Sequence, residues 1–291
     1  MCVYANYALR SRTCLLIFKD HSRITVTRSF LFKLFFLAYS HGLFPVRADS
    51  NALVLNNGFR VGIETQDIFI ELLRNRGWNV VNEYLEKDGI KYKRLGGFAS
   101  IYDMYEQRVY DIGVQGRVVV DVGASIGDSP IYFAYMGAKK IIAYEPSPIR
   151  YKFALMNILL NPDLQQKIEM HNLGVCARDP TATVEIKEKI VEGRTVQVRA
   201  RCTSLESIVK EVDDPYLLKI DCEGCEFPLV LNGYDYIRRF EKVIFEYHCN
   251  ITKLPLSLLL GRLERDFICK VRGGRLIGIV VCTKKRKSQS I

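Results

Sequence analysis

The chain has 291 residues, of which 48% are hydrophobic and 25% charged, with a formal net charge of +10 at pH 7. A chain of this length buries a sizeable core and suits one main domain plus an extension. Its nine cysteines are scattered and odd in number, which argues against a secreted disulfide framework. We therefore expect a cytoplasmic protein of ordinary globular composition.

The two ends of the chain are basic. Residues 1–50 form an aromatic-rich leader, in which residues 1–47 hold seven Lys or Arg and one acid, and residues 284–291 form a basic tail. A basic end is usually solvated and only sometimes contacts nucleic acid or anionic lipid. The Phe- and Leu-rich segment 29–44 is too short to span a bilayer, and Lys33 interrupts it. We expect a buried helix there, with peripheral membrane contact through this segment as the alternative.

Residues 51–115 have the pattern of a small α+β region. The apolar run at 68–73 predicts a helix, and Asp88-Gly89 predicts a hairpin turn. That turn would join strands at 80–85 and 91–95. This region extends the main domain on its N-terminal side.

The main domain is expected at residues 116–283, where strand and helix patterns alternate. Such alternation predicts a mostly parallel sheet with helices on both faces. The predicted strands are 118–122, 140–145, 167–173, 217–220 and 243–247, and the predicted helices are 128–137, 149–160, 205–212, 226–239 and 254–267. An inserted β-hairpin is predicted at 183–187 and 195–200, and a terminal antiparallel pair at 269–271 and 275–282.

The first βαβ unit of this domain is its most informative segment. Each of its two apolar runs reaches a carboxylate at the strand end, Asp121 in the first and Glu145 in the second. A glycine-bearing turn and a helix-length segment lie between them. Such a unit holds an adenosine-containing cofactor. From its strand end, Glu145 can accept charge-assisted hydrogen bonds from both ribose hydroxyls.

The turn itself selects among adenosine cofactors. Its spacing is Gly123-x-Ser125-x-Gly127, which departs from the dinucleotide fingerprint, and a pyrophosphate would meet the carboxylate of Asp128. S-adenosylmethionine has no phosphate, and acids favour its cationic sulfonium and amino groups. Glycine at 123 and 127 lets the backbone approach the ligand and the helix pack on the strand. Asn172, after the third strand, is either a contact for the adenine end or an ordinary strand cap.

Four motifs in this region resemble those of the FkbM-type S-adenosylmethionine-dependent methyltransferase family. They are Asp121–Gly127, Tyr144–Pro148, which contains Glu145-Pro146, Thr203–Ser207 and Leu218–Glu226. Ser125 replaces the usual Asn of the first motif. The resemblance implies a class I methyltransferase fold, which is a Rossmann-like, mostly parallel seven-stranded sheet, with S-adenosyl-L-methionine as the cofactor. It implies a cofactor site that includes Pro146 and an O-methyltransferase activity.

The candidate catalytic residues follow the fourth and fifth strands. Asp221 and Glu223 project from one turn, with Glu226 a helical turn beyond, and His248 ends the fifth strand. Paired carboxylates can hold an acceptor hydroxyl or take its proton, and a histidine with an ordinary pKa of about 6.5 suits the same role. For Glu226 the alternative is an acid at a helix N-terminus, which the helix dipole favours. We predict an acceptor hydroxyl on a sugar, glycan, lipid or small metabolite.

Other classes of function stay open at this point. The basic ends suggest an RNA methyltransferase, although nucleic acid is not the favoured partner. Gly123–Gly127 also fits the G-x-S-x-G elbow of α/β-hydrolases, with Ser125 as nucleophile and Asp221 and His248 in hydrolase order. A third class is a scaffold that binds the cofactor without catalysis.

One tight cysteine pair lies inside the fourth motif. A zinc site at Cys222-x-x-Cys225 would need two more ligands, for which His248 and Cys249 are available. A redox role is the other alternative. We expect packing cysteines and assign no metal.

Overall fold

A computed structural model describes residues 13–63, 68–93, 97–179, 181–189 and 195–286 of the chain. These residues form two compact units. One comprises the described residues up to Asp88 together with Phe98–Glu106, and the other comprises Gly89–Gly97 and the described residues from Gln107 onward. Three parts of the chain lie outside the described ranges. They are the first twelve residues of the leader, the turn at 192–193 between the two strands of the predicted hairpin, and most of the basic tail.

The first unit consists of short antiparallel strands and helices. Strands β1 and β2 pair as a hairpin, and β3, β4 and β5 form a three-stranded sheet. The elements are β1 (Thr13–Ile17), β2 (Arg23–Thr27), α1 (Arg28–His41), β3 (Pro45–Asp49), β4 (Ala52–Leu55), β5 (Arg60–Gly62), α2 (Ile68–Arg74), β6 (Asn79–Val81), β7 (Tyr84–Lys87) and α3 (Phe98–Tyr105).

The helix predicted at 29–44 is present as α1, on which Phe35 is 57% exposed. Thr27 caps its N-terminus by accepting a hydrogen bond from the Phe30 N–H, and Gly42 ends it in the left-handed conformation. Leu34 and Leu37 on this helix are buried. The described part of the chain contains no helix long and apolar enough to cross a membrane.

The second unit is built on a seven-stranded sheet in the order β11-β10-β9-β15-β16-β18-β17. All pairings from β11 to β16 are parallel, whereas β18 runs antiparallel to both of its neighbours. This arrangement confirms the predicted seven-stranded, mostly parallel α/β sheet. The strands are β8 (Ile90–Lys93), β9 (Val118–Val122), β10 (Lys140–Tyr144), β11 (Ile168–His171), β12 (Gly174–Cys176), β13 (Thr183–Lys189), β14 (Thr195–Ser204), β15 (Leu217–Ile220), β16 (Lys242–His248), β17 (Phe267–Gly273) and β18 (Ile277–Lys284). The helices are α4 (Asp128–Tyr135), α5 (Pro148–Leu159), α6 (Pro162–Gln165), α7 (Leu205–Glu211), α8 (Glu226–Ile237), α9 (Cys249–Thr252) and α10 (Ser257–Leu263).

The central strands are buried along most of their length because helices cover both faces of a parallel sheet. β15 is buried at all four residues, and β9 at its last four. The predicted hairpin insertion is confirmed as the antiparallel pair β13–β14, and β12 joins β14 in parallel. The carboxyl ends of β9, β10, β15 and β16 therefore meet at one edge of the sheet.

β8 belongs to this second unit and is held by two asparagines of α5 and the turn after it. The backbone N–H groups of Lys91 and Lys93 donate to the side-chain oxygens of Asn161 (2.9 Å) and Asn157 (2.8 Å). Asn161 donates back to the carbonyl of Lys91, and Asn157 donates to the carbonyl of Ile126 (each 2.8 Å). Both carboxamides are buried, so these bonds fix the strand against the domain.

Three predictions about local structure were wrong. The helix expected at 254–267 is shorter than predicted, since α10 spans only Ser257–Leu263 and Pro255 precedes its start. The strand expected at 80–85 is divided into β6 and β7 by a turn in which Asn82 has φ +51°. The cysteines are not mere packing residues, since disulfides join Cys176 to Cys202, Cys222 to Cys225, and Cys269 to Cys282.

The turn after β9 requires glycine at its first position. Gly123 has φ +87°, and a β-carbon there would overlap the backbone carbonyl oxygen of Asp221. We expect Gly123→Ala to lower the free energy of unfolding by about 3 kcal/mol or more. Urea denaturation measures this. Gly261→Ala, in a helix with open space around the new methyl group, is the control and should be neutral or slightly stabilising. Equal effects of the two substitutions would contradict the close approach.

Candidate functional site

The candidate site lies where the carboxyl ends of the central strands meet. A buried ion pair holds two of these strands and the glycine turn together. Lys219 and Asp121 are partners in the register of β15 and β9, and the Lys219 Nζ lies 2.9 Å from an Asp121 carboxylate oxygen. Lys219 also donates to the carbonyl of Gly123 (2.7 Å), and the Ser129 hydroxyl donates to the other oxygen of Asp121 (2.6 Å).

Asp121 was predicted to contact the cofactor, but its side chain is fully buried behind the turn. Its carboxylate oxygens face Lys219 and Ser129, so its observed role is to hold these two side chains in place. Lys219 was not predicted. Burial lowers the pKa of Lys219, but Asp121 and Asp221 outweigh burial and raise it, which keeps the lysine charged. Lys219 interrupts the apolar run Leu217–Ile220, and this was the sequence signal that could have predicted a buried partner for Asp121.

Glu145 lies at the end of β10 and is almost completely buried. One carboxylate oxygen accepts from the N–H of Ser125 (2.8 Å) and the other from the N–H of Ser147 (2.8 Å). Burial raises the pKa of Glu145, opposed by these hydrogen bonds. Each carboxylate oxygen has a second lone pair, so both can accept a further hydrogen bond from a ligand.

Asn172 braces the loop that carries Glu145. Its amide donates to the carbonyls of Glu145 (2.9 Å) and Pro146 (3.2 Å). These bonds match the strand-cap alternative and leave the side-chain oxygen of Asn172 as the group available to a ligand. Ser147 then begins α5 by accepting from the N–H of Arg150.

Gly127 and Asp128 begin helix α4. Gly127 has φ +83°, and a β-carbon there would press on Ala154 of α5 at 3.1 Å, so glycine allows the two helices to approach. Asp128 is buried, and burial raises its pKa to about 6 despite the nearby charge of Lys219. It is therefore largely ionised at neutral pH and contributes negative charge beside the turn.

The predicted catalytic residues come together at the ends of β15 and β16. The fully buried carboxylate of Glu226 accepts from the backbone N–H of His248 (2.7 Å) and from that of Gly224 (2.9 Å). The His248 ring nitrogens lie 3.3 Å from a Glu226 oxygen and 3.6 Å from a Glu223 oxygen. Glu226 thus links the turn at Gly224 to His248. An acid that only interacted with the helix dipole would not make these contacts.

Asp221 is the half-buried carboxylate of this group. The hydroxyl of Tyr110 donates to the Asp221 carboxylate at 3.3 Å. Tyr110 is buried, and its sequence context does not predict this contact. Side-chain ligand atoms of Asp221, Glu246 and His248 all lie within 4.8 Å of one another. This concentration of carboxylates favours a positive charge at the strand ends.

That positive charge is the imidazolium of His248. Burial lowers the pKa of His248, but the hydrogen bond to Glu226 and the fields of Glu226, Glu246 and Asp221 outweigh it and raise the pKa to about 9. His248 is therefore protonated at neutral pH, and its ring is committed to Glu226 and Glu223 rather than to the Ser125 hydroxyl of the hydrolase alternative.

The disulfide between Cys222 and Cys225 lies in the same turn. It removes both thiolates that the zinc alternative required. Glu223, between them, has φ +56° and is largely exposed, with 67% of its side chain accessible. The turn therefore directs Glu223 outward and Glu226 inward.

Comparison with known proteins gives a match to a family model and several partial relatives. Residues 121–255 match the model of the Methyltransferase FkbM domain. The ribosomal protein L11 methyltransferase of Streptococcus pneumoniae strain Hungary19A-6 is 30% identical over 118 residues, which cover 40% of this chain and 32% of that protein. The chain thus spans about a third of the length of the curated relatives it matches.

Two solved structures are similar at low identity. The methyltransferase FkbM of Methylobacillus flagellatus KT is 16% identical, with a TM-score of 0.46 over 62% of this chain and 47% of that chain. The ribosomal protein L11 methylase of Lactobacillus delbrueckii subsp. bulgaricus is 19% identical, with a TM-score of 0.40 over 66% of this chain and 81% of that chain.

The strand order of the sheet, with its antiparallel β18, defines a class I, Rossmann-like methyltransferase fold. Within this fold, residues 121–255 match the model of the Methyltransferase FkbM domain. These residues include all four motifs on which the resemblance rested. The predicted fold class and the predicted family resemblance are both confirmed.

Removing one partner of the buried ion pair should be costly. Lys219→Met leaves Asp121 as an uncompensated buried charge, so we expect the free energy of unfolding to fall by about 3–5 kcal/mol in urea denaturation. Adding Asp121→Asn should recover at least half of that loss. Lys140→Met breaks an exposed pair with Glu169 and should cost about 1 kcal/mol or less. A double variant as unstable as Lys219→Met alone would contradict this role.

The raised pKa of His248 predicts a pH dependence of stability. Because the pKa in the folded state is about 9 and the ordinary value 6.5, protonated His248 stabilises the fold fully below pH 6.5. That stabilisation is lost as the pH rises through 9. Urea denaturation across this range should show the fall, and Glu226→Gln should reduce it and lower the His248 pKa in an NMR titration. Glu264→Gln, at an exposed carboxylate, should change neither.

Proposed function

We propose that this chain is an S-adenosylmethionine-dependent O-methyltransferase whose catalytic domain is residues 116–283. The observation that carries the proposal is Glu145, a buried carboxylate held by the backbone N–H groups of Ser125 and Ser147 at the end of β10. Its two backbone hydrogen bonds hold it in place, and each carboxylate oxygen keeps a lone pair that a ligand can use. The FkbM domain match supports the same activity.

The residues around the turn fit the cofactor. Glu145 retains an acceptor position on each carboxylate oxygen for the two ribose hydroxyls. Asp128 and the carboxylates beyond β15 supply negative charge for the amino and sulfonium groups, whereas a pyrophosphate would be repelled. The open side of the turn, formed by Gly123 and Ser125, would hold the methionine end. When bound, S-adenosylmethionine supplies a methyl group made electrophilic by its positive sulfur.

Asp221 is the residue we assign as the proton acceptor for a hydroxyl substrate. It is the half-buried carboxylate of the group, and Tyr110 orients it through a hydrogen bond. Asp221 would take the proton of the acceptor hydroxyl when that hydroxyl is methylated. His248, protonated at neutral pH, positions Glu223 and Glu226 rather than taking the proton.

This arrangement supports a hydroxyl-bearing acceptor. A carboxylate that takes a proton during transfer suits a hydroxyl on a sugar, glycan, lipid or small metabolite. Glu223, exposed and adjacent to Asp221 in the same turn, can bind a neighbouring hydroxyl of such an acceptor. The identity of the acceptor stands as a proposal with the activity itself.

Glu145→Ala should weaken the binding of S-adenosylmethionine by about 10- to 100-fold, because two charge-assisted hydrogen bonds are lost. Isothermal titration calorimetry measures this directly. Glu169→Ala, an exposed carboxylate on the neighbouring β11, is the matched control and should leave the affinity unchanged. The melting temperature of each variant establishes that it is folded.

The same titration decides against the proposal if folded wild-type protein does not bind S-adenosylmethionine. Covalent labelling of Ser125 by a fluorophosphonate would then favour the hydrolase alternative. Binding that survives in Glu145→Ala would place the cofactor elsewhere in the chain. Transfer activity that persists in Asp221→Asn would remove Asp221 from the role of proton acceptor.

A further inference from the structure

A surface of the second unit combines exposed aliphatic side chains with basic ones. We call it the apolar-basic face, formed by residues 249–256 and 270–277. Its aliphatic members are Ile251, Leu254, Val271, Leu276 and Ile277, which are between 38% and 52% exposed. Residues 270–277 are exposed without interruption. A soluble surface rarely groups so many exposed aliphatic side chains without a binding role.

The charged residues within the apolar-basic face are all basic, and the exposed carboxylate of Glu223 lies beside it, in the turn whose Gly224 approaches Ile251 and Thr252. The face carries Lys253, Lys270, Arg272 and Arg275, and neither of its two segments contains an Asp or a Glu. In the part of the chain that the structure describes, no ion pair ties these four residues to a carboxylate. Their charge is therefore available to an anionic partner.

A cleft of about 580 Å³ opens in the middle of this face. Leu254, Leu256, Val271 and Leu276 contribute apolar walls, and Lys253 and Arg275 lie in the same lining. The volume is that of a site for a small ligand or part of a larger one. An apolar cleft with cationic groups beside it suits an amphiphile with an anionic head.

The face lies at the same edge of the sheet as the candidate site. Ile277 is the register partner of His248, so the tip of the β17–β18 hairpin stands at the carboxyl end of β16. The N–H of Asn250 donates to the carbonyl of Leu276, which ties that tip to α9. Cys249, which directly follows His248, lines the cleft.

The chemistry of the face favours a lipid surface over the other candidate partners. Proteins that bind single-stranded RNA stack bases on exposed aromatic side chains. Residues 249–256 and 270–277 contain no Phe, Tyr or Trp, and Tyr247, the aromatic residue in the cleft lining, is only 1% exposed. A second copy of the chain would bring Lys and Arg against Lys and Arg in a symmetric contact. Anionic lipid headgroups complement the four cations, and the aliphatic side chains can enter the acyl boundary.

We propose that the apolar-basic face docks this protein on an anionic bilayer surface, with the cleft open toward the membrane. Leu254, Leu276 and Ile277 enter the interface, while Lys253 and Arg275 contact the headgroups. Because the face shares the sheet edge of the candidate site, the acceptor hydroxyl then belongs to a membrane amphiphile. That last step rests on the proposed function, whereas the docking itself does not.

Vesicle flotation with the full chain tests the docking. The protein should bind vesicles in which about one lipid in four is phosphatidylglycerol, and bind pure phosphatidylcholine vesicles at least tenfold more weakly. Leu254→Asp with Leu276→Asp, and separately Lys253→Glu with Arg275→Glu, should each lower the partition coefficient about tenfold or more. Raised salt should weaken binding to the anionic vesicles.

Leu159→Asp with Lys152→Glu is the matched control. These residues are an exposed leucine and an exposed lysine on α5, away from the face, and their change should leave vesicle binding intact. Melting temperature and S-adenosylmethionine titration of every variant separate a docking defect from misfolding or from loss of the cofactor site.

Three results would overturn the docking. The first is wild-type protein that ignores anionic vesicles. The second is equal loss of vesicle binding in the control and in the face variants. The third is binding of the same face to RNA in a gel shift, or to a second copy in light scattering, without vesicle binding. Vesicle binding that persists in a protein unable to bind S-adenosylmethionine would support the docking while removing the proposed reaction.

Discussion

The ion pair between Lys219 and Asp121 is the interaction on which the candidate site depends. It joins β15 to β9 at the centre of the sheet, and Lys219 also binds the carbonyl of the glycine turn. Burying both charges of an ion pair costs free energy of desolvation, which is offset only when each charge keeps its partners. The pair therefore fixes the register of β15 against β9. The position of the glycine turn relative to the carboxylates after β15 depends on that register.

Two carboxylates at the strand ends are oriented by backbone N–H groups. Glu145 is held by two amides of neighbouring loops, and Glu226 by the amides of Gly224 and His248. Backbone donors move less than side chains, so both groups are positioned before any ligand arrives. The proposed cofactor side and the proposed acceptor side thus share one feature, a carboxylate held by backbone N–H groups.

Sequence patterns predicted the elements whose periodicity is strong and the residues whose chemistry is local. The central strands, the glycine turn and the carboxylate at Glu145 were found in this way. Lys219 was missed because its partner is 98 positions away and meets it only through strand register. Tyr110 and the linking role of Glu226 also depend on tertiary packing. The β1–β2 hairpin was hidden in a leader whose basic composition masks its alternation.

The interleaving of the two units limits how the chain can be divided. β8 belongs to the second unit, yet it precedes α3 of the first. A fragment that begins at Gln107 would leave the buried carboxamides of Asn157 and Asn161 without the backbone groups of Lys91 and Lys93. A cut after Asp88 would keep β8 with the second unit but would also carry along α3 of the first unit. Proteolysis within residues 89–97 would disrupt the link between β8 and the rest of the second unit, while the four sequence motifs would stay intact.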